Sequence, residues 1–239
     1  MTSESESQTE PWVKDKGANY AYAYDRGGKL ANALGVRGIP NAVLVDPSGT
    51  IIWQGHPGSL SSSQIEKALE GAISLPVYEW GKSAKSIKKA FLNQEFAKAI
   101  EAADKLGQKE ESGKQIAGLL RGMVTSRVAA LQADLEKGDV FKALSGAEAL
   151  SKNLKGLPER DTLEELITKV SKDPVLSEVS EVQGKLNDIM SDERKKWKDC
   201  DASVKKLKKL LEGHEGSYTG TLIEKAIEAV AEERRALKR

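Results

Sequence analysis

Residues 35–55, GVRGIPNAVLVDPSGTIIWQG, decide how the chain reads. Ala42, Val43, Leu44 and Val45 form an unbroken apolar run, the pattern of a strand covered on both faces. Asp46-Pro47-Ser48-Gly49 is a tight-turn sequence, since Pro47 presets φ at an early turn position and Gly49 tolerates the left-handed conformation. Thr50, Ile51, Ile52 and Trp53 are β-branched or aromatic and suit a returning strand. The unit is therefore a hairpin, with strands expected at Ala42–Val45 and Thr50–Gly55. Gly38-Ile39-Pro40 stands at its mouth.

Working outward, Tyr20, Tyr22 and Tyr24 alternate within Ala18–Asp25, which predicts a further strand. Gly27-Gly28 breaks it, and Lys29–Leu34 is a short helix ending at Gly35. After the hairpin, His56-Pro57-Gly58 ends the second strand. Ser61-Ser62-Ser63 offers a cap for a helix with Ile65, Ala68, Leu69 and Ala72 on one face.

The order of these pieces (GVRGIP, apolar strand, DPSG turn, apolar strand, GHPG, helix) resembles the C-terminal half of a thioredoxin-like domain of the TlpA/redoxin class, the disulfide reductases. The likeness covers roughly residues 1 to 75. In that family the proline of the G-x-P element is cis, lies beside the catalytic CxxC, and is flanked by backbone that pairs with an extended substrate peptide. Pro40 matches that proline and Ile39 the residue before it, so the resemblance implies a substrate-binding role for Gly38, Ile39 and Pro40. It also implies that Met1-Thr2-Ser3-Glu4 is the tail of a strand-end segment, that Glu4–Lys16 is a helix with Trp12 and Val13 facing the sheet, and that Gly17 closes it. On that reading the chain begins inside a fold, without the CxxC half. The other reading of residues 1–10 is a flexible polar leader. The class works mostly outside the cytoplasm, yet MTSESESQTEPW has no basic region followed by an apolar one and is not a secretory signal.

Composition shifts near residues 74–82, around Pro76, and the remainder reads as helix. The expected architecture is α/β, a truncated thioredoxin-like module with a mixed sheet over residues 1–75, followed by an all-α helical array over residues 76–239. Ile87, Phe91, Ala97, Ile100 and Ala103, then Ile116, Leu119, Leu120, Met123, Val124, Val128 and Leu131, recur at three- and four-residue spacing. Gly107, Gly138, Gly156 and Gly213 suit breaks, and Pro158 and Pro174 suit helix starts, where a missing N–H costs nothing. Glu95–Leu106 (EFAKAIEAADKL) aligns with Asp139–Leu150 (DVFKALSGAEAL), 44 residues on. The pattern resembles tetratricopeptide-type helix pairs, though their usual period is shorter.

The chemistry that the chain can carry is narrow. Its 37 Lys and Arg against 36 Asp and Glu give a formal net charge of +1, so no overall field draws it to nucleic acid or membrane. No apolar run reaches the length of a transmembrane helix. Thiol–disulfide exchange needs an attacking and a resolving thiol. Cys200 is the sole cysteine, so the chain has no CxxC and no catalytic residue is assigned in it. The lysines of KKWKDCDASVKKLKK could favour its thiolate; an ordinary half-buried helical cysteine is the plainer reading. His56 and His214 make no metal motif, and no P-loop, dinucleotide fingerprint, calcium loop or nucleophile elbow occurs. No cofactor or metal is expected. The basic run around Trp197 reads either as a surface for an acidic partner or an anionic membrane, or as the solvated face of a helix with Val204, Leu207 and Leu211 inward.

Two functions follow. One is part of a thiol–disulfide oxidoreductase acting on client proteins, its dithiol outside this chain. The other is a non-catalytic module for protein binding. The missing half would leave the Ala42–Val45 edge bare, so that edge is expected to pair with a second copy, to lie under a helix, or to make the chain poorly soluble.

Overall fold

The first elements of the chain are short. In the computed structural model, which describes residues 4–17, 23–47, 49–69, 72, 77 and 80–237, α1 is Glu6–Lys16, α2 is Lys29–Ala33 and α3 is Ser62–Ala68. Each has a local reason. At α1 the Ser5 N–H donates to Gln8 Oε1 at 3.0 Å, and Gly17 ends the helix at φ 57°. At α3 Ser61 and Gln64 satisfy one another's backbone, Gln64 N to Ser61 Oγ at 3.3 Å and Ser61 N to Gln64 Oε1 at 2.9 Å. Between α2 and α3 runs the hairpin, β1 (Ala42–Val45) and β2 (Ile51–Gly55).

The two strands pair antiparallel, Ala42 opposite Gly55 and Leu44 opposite Trp53, with a bulge between Leu44 and Val45. Among the described residues this is the whole sheet, and it is antiparallel rather than mixed. Of the strand expected at Ala18–Asp25, residues 18–22 lie outside the described set; Tyr24 forms an isolated bridge. β1 is half-buried, not covered on both faces, and the Ile65 and Leu69 face of α3 is exposed. Trp12 is also exposed, and the residue of α1 that is buried is Thr9. These corrections share a cause. Two strands and three short helices supply no second apolar layer, and Ala68 is the one buried apolar residue of this unit among those described.

The chain divides into two compact units, one drawn from Met1–Asp46 and Ile51–Glu70, the other from Pro47–Thr50 and Gly71–Arg239. The second is built of α4 (Lys85–Leu92), α5 (Phe96–Gly107), α6 (Glu111–Lys137), α7 (Val140–Ser151), α8 (Glu159–Lys172), α9 (Pro174–Ser191), α10 (Trp197–Leu211) and α11 (Tyr218–Leu237). The chain is thus α-rich with one small sheet.

The internal repeat is visible atom by atom. At the end of α4 the Gln94 N–H reaches Phe91 O and the Glu95 N–H reaches Ala90 O; at the end of α6 the Gly138 N–H reaches Leu135 O and the Asp139 N–H reaches Asp134 O. Both are glycine-type helix closures, with Gln94 at φ 61° where the second copy has Gly138 at φ 92°. The helices that follow bury matching positions: Phe96 and Val140, Ala99 and Ala143, Ala103 and Ala147. Small alanines there let neighbouring helices approach closely.

Two apolar cores fill this unit. The first runs from Trp80 to Val170 through α4–α8 and includes Ile87, Phe96, Leu120, Leu154 and Leu163. The second joins Val182, Leu186, Cys200, Leu207, Ile223, Ala226 and Val230. α9 belongs to both, since Leu176 and Val179 pack on the first core and Val182, Leu186, Ile189 and Met190 on the second. At the changeover sits Gln183, 3% exposed. Its Nε2 donates to Gly138 O at 2.7 Å and to Thr219 Oγ1 at 2.9 Å, while its Oε1 accepts from Phe141 N at 2.9 Å. One side chain thereby joins the start of α7, the middle of α9 and the start of α11.

Candidate functional site

The segment that the resemblance singles out lies between α2 and β1. Asp25 sets the start of α2: its Oδ1 accepts from Leu30 N at 3.0 Å and its Oδ2 from Ala31 N at 2.9 Å. Those two bonds, the Leu30 one foremost, hold the Asp25 carboxyl below the usual carboxylate range. α2 ends with Gly35 at φ 63° and the Val36 N–H on Ala31 O at 2.9 Å. The chain then turns out through Arg37, Gly38, Ile39 and Pro40 before entering β1.

Gln54 on β2 fixes this loop at both ends. Its Nε2 donates to Leu34 O at 2.8 Å and to Asn41 Oδ1 at 3.4 Å. Gly38, Ile39 and Pro40 are all exposed, and Ile39 is 93% exposed. The Ile39–Pro40 peptide is cis. Among the described residues no hydrogen bond engages the Ile39 backbone. The arrangement is a pinned loop that offers an apolar side chain and open main chain to solvent. The resemblance names these three residues; Gln54 and Asp25, which hold the loop and the helix before it, carry no such signal. Asp25, five residues ahead of the helix N–H that it accepts from, has no standard cap spacing, and Gln54 reads as an ordinary outward strand residue.

The other candidates fall out of any joint site. Cys200 is not half-buried but 0% exposed, on the inner face of α10. Burial, with Glu233 adding to it, pushes its thiol up rather than down, so the nearby lysines do not make it a thiolate. His56 closes the turn after β2, its Nδ1 accepting from Gly58 N at 3.1 Å. His214, in the loop before α11, accepts from Ser217 N through its carbonyl at 3.2 Å. Among the described residues no cluster of His, Cys, Asp or Glu could hold a metal ion, and no helix is long and apolar enough to cross a membrane.

Arg194 is a functional-looking group that packing explains. Its side chain is 9% exposed, ion-paired through Nε with Glu233 at 2.7 Å, and its Nη1 donates to Ile189 O at 3.1 Å. It closes the C-terminal end of α9, where carbonyls lack intrahelical partners.

No family model matches the chain, and no curated protein or solved structure matches it.

Proposed function

We propose that the chain is part of a thioredoxin-like thiol–disulfide oxidoreductase whose catalytic dithiol is not among its residues, and that its own contribution is to hold a client polypeptide at Gly38–Ile39–Pro40. The observation that carries this reading is Ile39, an apolar side chain left 93% exposed on a loop that Gln54 pins at both ends. An extended client segment beside such a loop gains main-chain hydrogen bonds and an apolar contact. Intact mass with N-terminal sequencing of the protein recovered from cells tests it. A product carrying a CxxC pair ahead of Met1 is expected; a product that starts at Met1 removes the catalytic part of the proposal.

A second reading is a non-catalytic protein-interaction module, with the helical unit as the main binding surface. Two observations favour it: the lone thiol is sealed inside α10, and the helix pairs repeat at the level of individual hydrogen bonds. Under either reading the hairpin is a second contact surface. Val45, Ile51 and Ile52 are 48%, 46% and 42% exposed, and pairing with a second copy would cover them. A monodisperse monomer by analytical ultracentrifugation would count against that pairing.

A further inference from the structure

The basic run around Trp197 has no part in the thiol–disulfide reading, and the structure shows where its charges go. α10 turns Cys200, Ser203 and Leu207 into the second core and leaves its lysines outside. Two of them, Lys206 and Lys209, are three residues apart and so share a face of the helix. That face borders a groove of about 440 Å³ between α9 and α10. Lys185 stands on the opposite rim, and the floor is Ile189 and Leu210, both half-buried and packed on the second core.

We propose that this groove docks an acidic amphipathic helix of a partner protein. Its apolar floor bordered by cations selects a ligand with apolar residues in the middle and carboxylates at the flanks. Asp188 is the one carboxylate in the lining, and Asp192 reaches Lys206 at 3.6 Å. Lys185 and Lys209 have no carboxylate within ion-pair distance among the described residues. Lys185 and Lys209 thus stand unpaired on opposite walls, and with Lys206 they leave the lining net positive despite Asp188. A bilayer is a poorer occupant, because a membrane-binding helix presents its apolar residues outward, above its lysines. Here the apolar residues lie beneath them. The inference rests on the helical unit being a binding surface and needs no thiol chemistry.

The test uses the full chain and a fluorescein-labelled helical peptide of about 18 residues with Leu at i, i+3, i+4 and i+7 and Glu alongside. A second peptide carries Lys in place of each Glu. Fluorescence anisotropy is expected to show the Glu peptide binding about tenfold or more tightly than the Lys peptide, weakening as salt is added. The charge reversal K185E/K209E, at two exposed positions, is expected to weaken the Glu peptide about tenfold and to strengthen the Lys peptide, with the circular dichroism unchanged. Amide shift changes at Lys185, Ile189, Lys206 and Leu210 in the unsubstituted protein locate the site independently. Failure of the Glu peptide to bind, or equal binding of both peptides, overturns the proposal. Binding that K185E/K209E leaves intact would keep the interaction reading and discard this groove. Capture of phosphatidylserine vesicles, abolished in the same variant while neither peptide binds, would make the surface a membrane contact instead.

Discussion

Gln94 holds a conformation that costs an L-residue about 1–2 kcal/mol. Its counterpart 44 residues on is Gly138, at φ 92° in the same helix closure. Gln94→Gly should therefore stabilise the protein by about 1 kcal/mol, read as a higher urea midpoint at unchanged slope. Gly138→Gln should do the reverse, because an L side chain at φ 92° is strained even though its Cβ would meet Tyr218 only in ordinary contact. A neutral result for Gln94→Gly would mean that its φ differs in solution. Asp25 makes a second residue-scale prediction. Its folded pKa lies below the unfolded value, so the stability that it lends the start of α2 is whole above the ordinary carboxylate range and is lost as pH falls through the folded value. The amide resonances of Leu30 and Ala31 should follow that titration at acid pH, and Asp25→Asn should abolish the movement. Resonances that stay fixed in the parent protein would show that Asp25 does not hold them.

At the scale of elements, the contact of α5 with α6 depends on glycine. A Cβ on Gly113 would lie 2.2 Å from Gly107 N, a backbone atom that cannot turn aside. Gly113→Ala should force the two helices apart and cost about 3 kcal/mol. Gly118 and Gly122, on the same helix, meet nothing within 4 Å, and alanine there should stabilise by about 1 kcal/mol each. Equal effects at 113 and 118 would refute the close crossing. Much of this level was legible in the sequence. The hairpin followed from an apolar run, a DPSG turn and a β-branched return, since strand pairing is local there. The helical unit followed from three- and four-residue spacing, and the repeat from two aligned dozens of residues. The crossing at Gly113 was not legible, because a glycine inside a helix looks the same whether a neighbour presses on it or not.

For the molecule as a whole, the sequence overstated the first unit and understated the second. Apolar residues such as Trp12, Ile65 and Leu69 read as a buried face, but burial requires a second layer, and pattern alone cannot say whether one is supplied. In the helical unit the buried alanines and leucines were readable as a stripe, whereas the division into two cores was not. It falls at Gln183, a polar residue buried on α9 one turn from buried Ser180, whose partners at Gly138, Phe141 and Thr219 are all more than thirty positions away. Of the proposed site, Gly38, Ile39 and Pro40 are named by the resemblance alone, and the Gln54 contacts that pin their loop depend on strand register.

The sharing of α9 has a consequence during synthesis. The first core is fully covered only when α9 has emerged, because Leu176 and Val179 pack against it. At that moment Val182, Leu186, Ile189 and Met190 on the far half of the same helix have no cover, and at ordinary elongation rates they wait a few seconds for α10 and α11. Each nascent chain thus passes through an interval in which a finished core carries a bare apolar ridge, the kind of surface that holdase chaperones recognise.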